Sequence, residues 1–216
     1  MALIPAVFLD KDGTLLVDVP FNVDATRMVL AERAAEALTT LGQLGVPLVV
    51  VSNQAGVAHG HFEEEALGGV RQRLAELFND CGAHLANFYY CPHHPQGVNT
   101  YAIECNCRKP QSGMLRRAAA DLGIALDSSW MVGDILDDIE AGRRAGCKAI
   151  LIDNGNETEW CGGPLRTPHH RVANLGDAAD LIVSSFAAGR HSLKSRAAVL
   201  RDPSHQQIEV NHVAME

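Results

Sequence analysis

The sequence predicts an α/β fold in which a doubly wound, mainly parallel sheet is covered by helices on both faces. Three observations carry this expectation. Short apolar runs at 6–9, 46–51, 85–90, 130–132 and 148–152 alternate with stretches of helical apolar spacing, the order of repeated βαβ units. The runs are continuously hydrophobic, as strands buried on both faces are. Polar clusters follow the runs, at the carboxyl ends where such sheets bind ligands.

Residues 6–9 make the first strand and deliver the turn Asp10-Lys11-Asp12-Gly13-Thr14. Leu15 to Met28 lacks a period and reads as a long loop containing Asp18 and Phe21; loops of that length after a core strand are functional or disordered as a rule. Ala34, Leu38 and Leu41 then recur at helical spacing, with Gly42 and Gly45 closing that helix. Val46 to Val51 is the second strand, with Ser52, Asn53 and Gln54 at its tip. Glu63, Glu64 and Glu65 open a helix where acids suit the positive end of the dipole, and Leu67, Val70, Leu74 and Leu77 form its buried stripe. A third strand runs from Leu85 into Cys91, and an irregular segment follows to Pro110.

Ser112 caps the next helix, whose apolar face is Leu115, Ala118, Ala119 and Leu122 and whose stop is Gly123. Trp130 to Val132 is a short strand ending at Gly133-Asp134, Ile139 to Ala145 a short helix, and Lys148 to Ile152 a fifth strand. Asn154 to Arg171 reads as a loop and Asp177 to Phe186 as a last helix. We expect one domain over residues 1–188 and a frayed or loosely docked tail of unassigned role over 189–216.

Composition narrows the function. A chain of 216 residues that is 47% hydrophobic fills one core. A formal charge of −8 argues against general affinity for nucleic acid or an anionic membrane, so the expected partner is a small molecule, held by local cations if it is anionic. No run approaches the ~18 apolar residues of a membrane span, and the N-terminus lacks the basic region of a signal peptide. A soluble, cytoplasmic protein is expected. Three of six cysteines crowd between 91 and 107, which suits a metal site better than a disulfide framework.

Asp10 and Asp12 lie two apart and share one side of an extended segment. One carboxylate there suits a nucleophile and the other a general acid and base; the bland alternative is a solvated Asp-Gly turn. Asp134, Asp137 and Asp138 at a strand end suit a hard cation such as Mg²⁺, although Asp137 is also explained by a helix N-terminus. Ser52, Asn53 and the Arg108-Lys109 pair offer a hydroxyl, an amide and an ammonium to phosphoryl oxygens.

Asp10-x-Asp12-Gly-Thr, Ser52-Asn53, Lys109 and Gly133-Asp134-x-x-x-Asp138, in this order and at these strand ends, resemble the haloacid dehalogenase superfamily of phosphohydrolases over about residues 4–153. That resemblance implies a Rossmann-like sheet. Cys91-Pro-His93 and Cys105-Asn-Cys107 add two ligand pairs with eleven residues between His93 and Cys105, a count and type that fit a closed tetrahedral Zn²⁺ site. His94 reads as a loop residue, and Cys81, Cys147 and Cys161 as ordinary thiols.

With Tyr89-Tyr90-Cys91-Pro92-His93-His94-Pro95-Gln96-Gly97 in place, the chain resembles the branch that has no large cap domain and a zinc-stabilised loop instead: the heptose-1,7-bisphosphate 7-phosphatases and the related histidinol phosphatases. The resemblance implies Asp10 as nucleophile and Asp12 as acid and base. It implies Mg²⁺ on Asp10, the Asp12 carbonyl and Asp134, and a small phosphorylated sugar as substrate. Ser52, Asn53, Gln54 and Lys109 would meet the phosphoryl group, with Arg108, Asp18 and Phe21 toward the rest of the substrate. Ile135 stands where some heptose phosphatases carry a basic residue, which bears on how a second phosphate is handled. Three alternatives stay open: histidinol phosphate hydrolysis, a nucleic acid end phosphatase, which the acidic charge disfavours, and an inactive zinc-stabilised binding module.

Overall fold

The computed structural model describes residues 3–199, with side chains through residue 188. Strands β1 (Val7–Leu9), β2 (Leu48–Asn53), β3 (Leu85–Cys91), β4 (Trp130–Gly133), β5 (Lys148–Ile152) and β6 (His170–Val172) form one sheet in the order β3-β2-β1-β4-β5-β6. Every pairing is parallel. Helices α1 (Ala34–Gly42), α2 (Leu67–Asp80), α3 (Gly113–Leu122), α4 (Leu136–Ala145) and α5 (Leu175–Val199) connect or follow the strands.

The central strand owes its place to composition. Val7, Phe8 and Leu9 are wholly inaccessible to solvent, and continuous burial of this kind is available only inside a sheet covered on both sides. Phe8, Val49, Val51 and Met131 pack with Met114, Leu115 and Ala118 of α3 in one cluster. Leu136 and Ile139 of α4 meet Ala149 and Leu151 of β5 in another. At about 25 cal/mol per Å² of apolar surface, burial of this extent is the main force fixing the strand ends.

The strand order reverses direction between β1 and β4, and a crevice opens at such a point outside the carboxyl ends. The register sets Leu9 beside both Val50 and Val132, so Asp10 leaves the sheet level with the tips of both neighbours.

Several boundaries differ from the sequence reading, α4 among them, which starts at Leu136 and not at Ile139. β2 runs on through Ser52 and Asn53, which makes those residues part of the strand. The stretch expected as a loop to Arg171 contains β6, a three-residue edge strand whose exposed His170 and Arg171 carry no apolar signal; it is seen only through its pairing with β5. The last helix begins at Leu175 and continues to Val199, into the stretch expected to be a frayed tail; positions 200–216 of that expected tail lie outside the described residues. The chain divides after Asp180 into a first unit, which holds every site residue considered below, and a second beginning at Leu181. Among the described residues no helix is long and apolar enough to cross a membrane.

Candidate active site

The strand tips bring together residues that the sequence scatters from 10 to 138. Asp10 ends β1, its backbone N–H donating to Val132 O at 2.9 Å. Lys109 arrives from the long segment after β3 and is 2% exposed. Its ammonium contacts Asp10 Oδ1, lies 2.6 Å from Asp138 Oδ1, and donates to Val51 O at 3.2 Å. Burial pushes the Lys109 amine down, but Asp10 and Asp138 outweigh it and hold the group above the ordinary lysine value.

Asp134 ends β4 and is held at both oxygens by neutral donors: Thr14 Oγ1 reaches Oδ1 at 2.9 Å and Asn156 Nδ2 reaches Oδ2 at 2.8 Å. Burial, and then the charge of Asp10, push the Asp134 carboxyl up to about 6. Asp138, on the first turn of α4, is fully buried, and burial raises it well above the usual carboxylate range. The approach is close enough to dictate two glycines. A Cβ on Gly13, at φ +79°, would lie 2.1 Å from Asp134 Oδ2, and one on Gly133 would lie 2.2 Å from Asp138 Cβ.

Asp12 is half-buried at the mouth of this site. Lys11 Nζ sits 2.5 Å from its Oδ1, and Gln54 Nε2 donates to its Oδ2 at 3.3 Å and to Ser52 Oγ at 2.7 Å. Burial, opposed by Lys11 and assisted by Asp10, leaves the Asp12 carboxyl above its ordinary value. A carboxyl so placed is suited to donating a proton.

Asn53 does something its position in a motif did not reveal. Its side chain donates to Lys109 O at 3.1 Å and accepts from Lys109 N at 3.0 Å, so the amide clamps the lysine backbone. Arg108 lines both a cleft of about 200 Å³ shared with Asp12, Asp18, Phe21 and Asn53 and one of about 610 Å³ shared with His94 and Lys109. Phe21 stands in the left-handed region at φ +54°, with its ring 4.2 Å from that of His61. His59 in turn lies 4.7 Å from His94.

The sulfur cluster is separate. Cys91 Sγ lies 3.5 Å from Cys105 Sγ and 3.1 Å from Cys107 Sγ, which is 3.2 Å from Cys105 Sγ. His93 Nδ1 lies 3.3 Å from Cys107 Sγ and 3.6 Å from Cys91 Sγ. These separations are far beyond a disulfide of about 2.05 Å and approach the edges of about 3.7 Å of a tetrahedron with Zn–S arms of about 2.3 Å. Hydrogen bonding with Cys91 pushes the Cys107 thiol down to about 5, toward the thiolate that binds metal. The backbone N–H of Arg108 donates to Cys105 Sγ at 3.4 Å, tying the cluster to the residue between the two clefts.

With this geometry in view, comparison with known proteins is decisive. A model of HAD-hydrolase-like proteins matches residues 106–178. The D-glycero-beta-D-manno-heptose-1,7-bisphosphate 7-phosphatase of Haemophilus ducreyi is 41% identical over 186 residues, 84% of this chain and 93% of that protein. The protein of the same name from Photorhabdus laumondii is 38% identical over 80% of this chain and 89% of its own length. The chain belongs to the heptose-bisphosphate phosphatase family of HAD-like hydrolases.

Its structure superposes on D,D-heptose 1.7-bisphosphate phosphatase from B. bronchiseptica complexed with magnesium and phosphate, with a TM-score of 0.73 and 26% identity over 84% of this chain and 99% of that one. The donors present here suit magnesium: Asp10, Asp134 and Asp138 offer oxygens that lie within 4.8 Å of one another, and one ammonium does not balance three buried acids. The cysteine and histidine group is compatible with zinc by donor type and spacing.

Of the residues singled out from sequence, Asp10, Lys109 and Asp134 meet at one point, with Asp12, Ser52, Gln54 and Asn53 around it, while Asp18, Phe21 and Arg108 line the cleft outside. Thr14, Asn156, Lys11 and the role of Asp138 escaped. Thr14 and Lys11 lay inside a recognised motif whose spacing says nothing about which side chains turn inward. Asn156 carried no signal at all.

Proposed function

We propose that the chain removes the 7-phosphate of D-glycero-D-manno-heptose 1,7-bisphosphate. The observation that carries this reading is the buried Lys109 ammonium between Asp10 and Asp138, beside Asp134 at the crevice, in a chain up to 41% identical to proteins of that name.

Asp10 attacks phosphorus, forming an Asp10 O–P bond as the bond to the sugar oxygen breaks. Asp12 gives its proton to that oxygen. The Asp12 carboxylate then takes a proton from water, whose oxygen attacks phosphorus and returns Asp10 as carboxylate. Lys109 and the Ser52 hydroxyl hold phosphoryl oxygens during both steps. Asp10, the Asp12 carbonyl and Asp134 would hold Mg²⁺, which supplies positive charge against the repulsion between phosphate and carboxylate. Cys91, His93, Cys105 and Cys107 would hold a structural Zn²⁺ that keeps Arg108 at the substrate.

The catalytic unit is taken as residues 1–188, and the cysteines, all free, accord with a cytoplasmic setting. Asp10→Asn is expected to abolish turnover with the melting temperature and zinc content unchanged; full activity would end the nucleophile assignment. A kcat/KM panel of the heptose bisphosphate, sugar monophosphates and histidinol phosphate tests the substrate. The bisphosphate should lead, and a lead by histidinol phosphate would refute the proposal.

A further inference from the structure

The loop after β5 turns back over the site and engages it at three places. Asn154 Nδ2 donates to Gly13 O at 2.7 Å, within the turn that carries Asp12. Asn156 Nδ2 donates to Asp134 Oδ2 at 2.8 Å. Glu157 Oε2 accepts from the N–H of Leu136 at 2.6 Å, at the start of the helix that carries Asp138. Gly155 makes this possible with φ +92°, a conformation glycine adopts without strain. None of these residues belongs to the motifs that mark the family.

We propose that Asn156 is a positioning residue that orients the Asp134 carboxylate and thereby sets the affinity for magnesium, while Asn154 holds the turn after β1 that carries Asp12. The inference rests on reading Asp134 as a magnesium ligand. Both Asp134 oxygens are fixed by neutral donors, Thr14 on one side and Asn156 on the other, so the carboxylate is oriented while its charge stays available to a cation. Each oxygen also keeps a lone pair. A lysine in place of Asn156 would orient the group equally well and cancel the charge that a cation needs.

The fit of Asn156 depends on the bare backbone at Gly13, where a Cβ would lie 2.5 Å from Asn156 Nδ2. Asn156 itself is exposed, so shortening it leaves no buried gap. Partners of this kind behind a metal ligand typically contribute about 10- to 100-fold in metal affinity or activity.

The test uses full-length, zinc-loaded protein with Mn²⁺ as the probe, its free signal followed by electron paramagnetic resonance. Asn156→Ala should weaken Mn²⁺ binding about tenfold and raise the Mg²⁺ needed for half-maximal aryl phosphate hydrolysis by a similar factor. Saturating Mg²⁺ should restore kcat to about the wild-type value, with the melting temperature unchanged. Asn154→Ala, which frees the turn and leaves both Asp134 oxygens held, should show the reverse split, a lower kcat with Mn²⁺ affinity kept. Unchanged Mn²⁺ affinity in Asn156→Ala would overturn the proposal, as would a kcat loss there that saturating Mg²⁺ does not repair. Asp134→Asn is the control that separates the two claims: if it binds Mn²⁺ as the wild type does, the magnesium reading of Asp134 has failed, and the positioning role falls with it.

Discussion

Asp10, Lys109 and the pair Asp134 and Asp138 come from three parts of the chain between positions 10 and 138, whereas Cys91, His93, Cys105 and Cys107 come from one segment of seventeen residues. Asp10, Asp134 and Asp138 stand at strand ends and a helix start, in a core that fixes each side chain by packing, and Lys109 reaches them from the segment before α3. Of the second group, Cys91 ends β3 and the other three lie in the segment without strand or helix that runs to α3, where four soft donors converge. The proposed function divides along the same line. Phosphoryl transfer needs reacting groups held within fractions of an ångström, which rigid elements provide; shaping a cleft around a substrate needs a loop, and a loop without a core needs a metal to hold it.

Lys109 is where the two regions meet, since it follows Cys107 by two residues and yet serves the acidic site. The Asn53 clamp explains how it can do so. Two hydrogen bonds from β2 fix its backbone, and Asp10 and Asp138 fix its ammonium, so its position is set by the sheet.

Lys109→Met tests the rigid side and should have the largest effect. Loss of the ammonium should lower kcat for every phosphomonoester by about 10²- to 10³-fold, as removal of a preorganised transition-state donor does. A uniform loss across substrates is the signature to look for; a loss confined to the sugar bisphosphate would move Lys109 to the specificity side. Asn53→Ala should cost about 2 kcal/mol of stability by urea denaturation, from two hydrogen bonds of about 1 kcal/mol each. In that variant, zinc chelation should also lower aryl phosphate hydrolysis, because the Lys109 backbone is then tied to the loop and only its ammonium is still held by Asp10 and Asp138. Arg108→Ala should be the mildest: about a tenfold rise in KM for the bisphosphate, the scale of one charged hydrogen bond, with kcat and aryl phosphate hydrolysis unchanged.

How much of this could be read from the sequence follows from the same contrast. Val7-Phe8-Leu9 and Val49-Val50-Val51 announce buried strands through hydrophobicity alone, and Asp10, Ser52 and Asp134 are legible because they close such runs. Cys91, His93, Cys105 and Cys107 are legible because their chemistry is rare and local. β6 is not, because an exposed edge strand of three residues has no apolar face to betray it. The far end of α5 is not legible because its apolar pattern fades past residue 186. Asn156 and the clamping role of Asn53 are contacts across 22 and 56 residues, made by a residue type common in every loop; only the fold brings them together.

The division of labour is tested most directly by removing zinc and comparing two substrates. Full-length enzyme is stripped with a chelator that leaves Mg²⁺ in excess, and kcat/KM is measured for the heptose bisphosphate and for an aryl phosphate. The bisphosphate value should fall by about 10-fold or more, with aryl phosphate hydrolysis within about threefold of the starting value and the sheet intact by circular dichroism. Equal losses for both substrates would contradict the account, since they would show that the zinc loop holds the reacting groups as well as the substrate.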